Sequence, residues 1–88
     1  LAHTGTGGDR PLPPYPTQAL RRNLEGTIVL LLKADASGLI TAIDVKETSC
    51  HEILNASTVE FVRRRWTLPP GDDGRIFQVA ITYRLTSG

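Results

Sequence analysis

Two short runs carry residue types able to do chemistry. Cys50 and His51 stand side by side, a thiol next to an imidazole, and Arg63, Arg64 and Arg65 form an unbroken cationic triplet. A nucleophile needs its base within hydrogen-bond reach. Neighbours at the start of a helix diverge by roughly 100°, so Cys50 and His51 make a poor dyad, although a helix N-terminus lowers a thiol pKa. No glycine-rich phosphate loop and no carboxylate cluster accompanies them. With one Cys and two His, the chain has no zinc-ligand spacing and cannot close an internal disulfide. The arginine triplet suits the last turns of a helix, where positive charge complements the dipole, with stacking on Trp66. No catalytic residue, metal or cofactor is assigned; the chain reads as a non-enzyme.

Ten basic and nine acidic residues leave a net charge of +1. That balance excludes nucleic acid as the main partner of the whole chain, and the last strand lacks the exposed aromatic ladder of an RNA-binding sheet. At 88 residues the chain is one small domain that buries only about 60% of its unfolded surface. Its longest apolar run, Ile28 to Leu32, is far short of the roughly 20 residues of a membrane span. The chain opens on Leu1 without a charged-then-apolar leader. It reads as a fragment of something longer, any anchor or targeting segment lying elsewhere.

The elements that position these residues emerge from pattern. Residues 1–14 have linker composition: Gly5, Gly7 and Gly8 make the first half flexible, and Pro11, Pro13 and Pro14 stiffen the second half toward polyproline II. The domain proper is expected over residues 15–88. Pro16 suits the first turn of a short helix whose buried side is Ala19, Leu20 and Leu24, with Gly26 placed to end it. Tyr15 lies outside it as a lid on the core edge.

Thr27 to Ala34 is almost continuously apolar, as a strand flanked on both sides must be. Asp35-Ala36-Ser37-Gly38 has turn chemistry, and Leu39 to Glu47 is a second strand, antiparallel to the first. Its alternation breaks once, which predicts a bulge near Thr41-Ala42. Ser49 and Glu52 have capping-box spacing. Leu54, Thr58, Phe61, Val62 and Arg65 then keep helical periodicity, with Leu54, Phe61 and Val62 as core contacts. Leu68-Pro69-Pro70-Gly71 stops the helix. In the last strand Phe77, Val79, Ile81, Tyr83 and Leu85 alternate with a mixed face, the pattern of a sheet covered on one side.

The fold class is therefore α+β: a two-layer sandwich with one short and one long helix on one face of a three-stranded antiparallel sheet, order 2-1-3. The first strand is the most apolar and takes the centre. The last strand is long, regular and free of proline, so its outer edge is open to pairing unless something covers it.

Several separated motifs converge. They are Tyr15-Pro16 before a short helix, Gly26 before the first strand, and Asp35-x-x-Gly38 between strands. Ser49 and Leu54-Asn55 open the long helix, Arg64-Arg65-Trp66 close it ahead of Pro69 and Pro70, and an alternating strand ends the set. From about Pro13 to Leu85 the sequence resembles the C-terminal domain of TonB-family energy transducers. The resemblance implies the periplasmic domain of a protein anchored in the Gram-negative inner membrane. A motor complex in that membrane would drive it through a missing upstream segment. Its partner would be an outer-membrane active transporter for nutrients such as iron-siderophores, whose TonB box is captured as an added strand beside the last strand.

Carried over, that contact falls on Gln78, Val79, Ala80, Ile81, Thr82 and Tyr83. The contact with the transporter plug falls on Leu12, Pro13, Pro14, Tyr15, Pro16 and Gln18. Three positions depart from the family pattern: Cys50 stands where Gly is common, Leu12 where a polar residue is common, and Gln18 where a basic one occurs. The alternative is a TolA-like envelope scaffold or an edge-to-edge self-association module, a homodimer using the same open edge.

Overall fold

The structure, a computed structural model, describes residues 9–85. The glycine-rich part of the expected linker, Gly5 to Gly8, lies outside the described residues. Five elements run in order: α1 (Thr17–Arg21), β1 (Gly26–Ala34), β2 (Ile40–Glu47), α2 (Glu52–Arg65) and β3 (Arg75–Tyr83). The sheet has the order β2-β1-β3 with both pairings antiparallel, as the apolarity of β1 predicts. Ile28, Leu30 and Leu32 of β1 are fully buried against Leu54 and Val62 of α2 and Leu68 beyond it. Each such side chain contributes about 1.5–3 kcal/mol on leaving water.

The hairpin between β1 and β2 is built by Asp35. Its carboxylate accepts from the Ser37 hydroxyl (2.7 Å), the Ser37 amide (2.9 Å) and the Leu39 amide (3.0 Å). Those bonds, the Ser37 hydroxyl foremost and the Leu39 amide next, hold the carboxyl below the ordinary aspartate value. Gly38 has φ +96°, and a Cβ there would sit 1.9 Å from the Leu68 carbonyl oxygen, so both the turn and the contact require glycine. Lys33 faces Ala42 and Ala34 faces Ile40, which leaves Thr41 as the extra residue of the expected bulge. A second bulge, unforeseen, leaves Lys46 unpaired between Val45 and Glu47.

Several expectations are corrected. The helix α1 ends at Arg21, and Asn23 at φ 55° makes the turn that Gly26 was expected to make. Gly26 instead opens β1, where a Cβ would approach the Ser49 carbonyl oxygen to 2.8 Å. Pro16 is the extended N-cap of α1, one residue before its first turn, and Leu20 is exposed because a helix of five residues buries only Ala19. The Ser49–Glu52 capping box does not form. Ser49 instead bonds Asn55 Oδ1 through its amide (3.0 Å) and its hydroxyl (2.7 Å), because α2 starts later, with His51 as N-cap. Thr58 joins Leu54 and Val62 as a fully buried residue of α2, while Phe61 packs against this core only partly buried. Arg65 lies over the Phe61 ring at 5.6 Å, where stacking on Trp66 was expected. Leu85 falls outside β3.

Candidate functional site

β3 pairs with β1 alone among the described residues, so its other edge is open. Which of its backbone groups face that edge is set by β1. In an antiparallel ladder a residue sends its N–H and C=O to the same side, and successive residues alternate. The Lys33 carbonyl accepts from Thr41 Oγ1 on the β2 side (3.2 Å), and the Asp35 amide donates to Leu39 on that same side (3.0 Å). The Ala34 carbonyl accepts from the Gly74 amide on the β3 side (2.9 Å). Ile28, Leu30 and Leu32 therefore turn toward β3, where they face Ile81, Val79 and Phe77. Those three commit their groups to β1, and Ile76, Gln78, Ala80 and Thr82 direct theirs outward. The 3.0 Å contact between Thr27 Oγ1 and Thr82 Oγ1 agrees, because side chains approach most closely at pairs that do not exchange backbone bonds.

A groove of about 530 Å³ runs along this edge, lined by Val79, Ala80, Ile81 and Thr82 on one side and by Arg10, Leu12 and Trp66 on the other. The second wall is pinned in place. Asp9 and Thr67 exchange backbone bonds of 2.9 and 2.8 Å, and the Trp66 indole N–H donates to the Pro11 carbonyl at 2.7 Å. Trp66 is thus both a buried anchor (8% exposed) and a groove residue. Tyr15 closes the end of this arrangement: its hydroxyl donates to the Leu24 carbonyl, and its ring meets Tyr83 edge-on at 5.4 Å. Burial pushes both phenols above the ordinary tyrosine value, aided at Tyr15 by the charge of Glu25 and at Tyr83 by the neighbouring Tyr15.

Of the residues singled out from sequence, Leu12 and the run Val79–Thr82 come together in the groove, and Tyr15 reaches the end of β3 through Tyr83. Gln78 carries outward backbone groups on the same edge. Pro13 and Pro16 are half-buried along the incoming segment, and Pro14 is exposed. Gln18 is exposed on α1 and does not line the groove. Sequence reasoning missed Arg10, and it missed Lys46, whose Nζ donates to Gln78 Oε1 at 2.9 Å. No break in the apolar pattern of β2 marks Lys46, because Val45 is the last apolar residue of the strand. Cys50 is exposed, with φ 71°, ahead of α2. No described helix is long and apolar enough to cross a membrane.

The fold and this edge define a small α+β domain with one long open strand beside a pinned segment. Residues 11–86 match the family model for the Gram-negative bacterial TonB protein C-terminal region. The chain belongs to the TonB C-terminal domain family. Protein tonB2 of Pseudomonas aeruginosa is 39% identical over 64 residues, covering 73% of this chain and 23% of that protein. The chain thus spans about a quarter of that relative's length. Two NMR structures of the Helicobacter pylori TonB C-terminal domain, comprising residues 194–285 and 179–285, are similar in fold. Their TM-scores are 0.67 and 0.71 at 24% identity, and the matches cover 86% of this chain and 84% and 72% of theirs.

Proposed function

We propose that this domain is the periplasmic end of a non-enzymatic energy transducer anchored in the Gram-negative inner membrane. It takes the TonB box of an outer-membrane active transporter as a strand added along β3. The observation that carries the reading is the set of outward backbone groups on Ile76, Gln78, Ala80 and Thr82, facing a groove instead of a fourth strand. Strand addition needs such an extended free edge. Membership of the TonB family supports the partner class.

About four to six new backbone bonds, each worth about 1 kcal/mol net, must offset the ordering of a flexible peptide. Binding is therefore weak, reversible and tolerant of guest sequence, which suits repeated engagement. Leu12 to Pro16 and Gln18 would meet the transporter plug. An inner-membrane motor complex, acting through upstream chain, would pull on the pair and load the β3–guest bonds together in shear. The test is an NMR titration with transporter N-terminal peptides. Amides of Ile76, Gln78, Ala80 and Thr82 should shift and gain exchange protection. Unmoved β3 amides, or a tight dimer by sedimentation that ignores peptide, would defeat the reading.

A further inference from the structure

The contact between Lys46 and Gln78 joins the two edge strands over the open face of the sheet. Lys46 is the extra residue of the second β2 bulge, between Val45 opposite Leu30 and Glu47 opposite Val29. Its side chain crosses β1 to reach Gln78 on β3. An ammonium only donates, so the Gln78 carbonyl must face Lys46, and the amide nitrogen with its two N–H donors is held on the other side of the same carbon. Gln78 makes no other side-chain hydrogen bond among the described residues. Lys46 forms no ion pair among them either.

Gln78 is also one of the four residues whose backbone groups face the open edge. A guest strand pairing there places one residue directly opposite it, about 5 Å away between Cβ atoms and on the same face. That guest side chain meets fixed N–H donors backed by a cation. The acids on the same face of β2, Asp44 opposite Leu31 and Glu47 opposite Val29, lie across both β1 and β3 from the guest. Arg10, on the far wall of the groove, adds positive charge on the guest's side.

We infer that Lys46 and Gln78 together read one side chain of the incoming strand and select a carboxylate opposite Gln78. Lys46 acts as a specificity residue although it sits two strands from the guest. A guest Asp or Glu accepts from the Gln78 amide and is attracted by Lys46. A guest Lys or Arg meets two groups that only donate, and a like charge. This inference rests on the strand-addition reading and names the chemistry of the partner.

The probe is a set of blocked ten-residue peptides of alternating Thr and Val, each carrying one Glu, Gln or Lys at a successive position. Binding is read by fluorescence anisotropy against the wild-type chain, Lys46→Ala and Lys46→Glu. Both variants change an exposed side chain and should keep the wild-type amide spectrum. One register position should favour Glu over Gln by about three- to tenfold in the wild type, and the advantage should shrink with added salt. It should largely vanish in Lys46→Ala and pass to Lys at that same position in Lys46→Glu. Identical preferences in all three proteins would overturn the inference and leave strand addition standing. Peptides that bind without moving any β3 amide, or do not bind at all, would overturn both.

Discussion

Tyr83, the last residue of β3, donates its phenol hydrogen to Thr58 Oγ1 in the middle of α2, at 2.7 Å. The direction is determined because the Thr58 hydroxyl already donates to the Leu54 carbonyl at 2.6 Å. One buried threonine therefore ties the open strand to the long helix, and the edge-on contact with Tyr15 extends the tie to the incoming segment.

Thr58→Val keeps the shape of the site and leaves the Tyr83 hydroxyl buried without an acceptor. It should cost about 1–3 kcal/mol. Adding Tyr83→Phe to that variant should recover part of the loss, because removing both partners is cheaper than removing one. Urea unfolding of the four proteins in a double-mutant cycle measures the coupling. Additive losses would show that the two hydroxyls act independently.

Proline along β3 should have opposite effects at neighbouring positions. Ala80 points its amide outward, so Ala80→Pro should stay folded and lose peptide binding. Ile81 commits its amide to β1, so Ile81→Pro should lose about 3 kcal/mol or more of stability. Amide spectra and thermal unfolding separate the two cases. A folded Ala80→Pro that binds transporter peptide at wild-type affinity would rule out backbone pairing along this edge.

Cys50 is exposed and holds φ 71°, a conformation that costs a residue with a Cβ about 1 kcal/mol. Cys50→Gly should relieve that strain, offset in part by a more flexible unfolded chain, and raise stability by up to about 1 kcal/mol. Cys50→Val should lower it, since a β-branched side chain tolerates this region least. Chemical denaturation of the pair against the parent gives the sign of both.

Gly38→Ala should be the most damaging small change in the hairpin. It places a methyl 1.9 Å from the Leu68 carbonyl oxygen at φ +96°, so the turn and the loop after α2 must part. A loss of about 2 kcal/mol or more is expected, with weakened protection of the Leu68 amide, which donates to the Gly38 carbonyl at 2.8 Å. A melting temperature matching the parent would contradict the packing of turn on loop.

Stability should fall at both ends of the pH scale for different reasons. The Asp35 carboxyl titrates below its ordinary value, so its stabilisation is complete above about pH 4 and is lost as pH falls through the folded value. Asp35→Asn should flatten that acid limb. Tyr15 and Tyr83 titrate above their ordinary value. Their stabilisation is complete below about pH 10 and is lost as pH rises through the folded values. Phenolate absorbance should therefore appear together with alkaline unfolding; ionisation of both tyrosines in a still-folded chain would be the contrary result.

Chain-local chemistry made the elements and their order readable. An uninterrupted apolar run from Ile28 to Leu32 can be satisfied only by a central strand, the Asp35 to Gly38 residues can only turn, and the break at Thr41 needs a bulge. The period-two pattern of β3 likewise showed which side chains face the helices. It carried no information about which backbone groups face outward, since that depends on the register with β1. Spacing offered Ser49 a capping partner in Glu52, and the start of α2 after His51 gave it Asn55 instead. Thr58 kept the helical spacing in the sequence, but the partner that lets its hydroxyl be buried, Tyr83, stands 25 positions later. Trp66 with Pro11 and Lys46 with Gln78 are separated by 55 and 32 positions. Amino-acid order alone thus determined the strands, the helices and the central place of β1, because burial and turn propensity act along the chain. Tertiary structure decided every polar pairing around the open edge, because hydrogen bonds depend on distances between segments that periodicity does not relate.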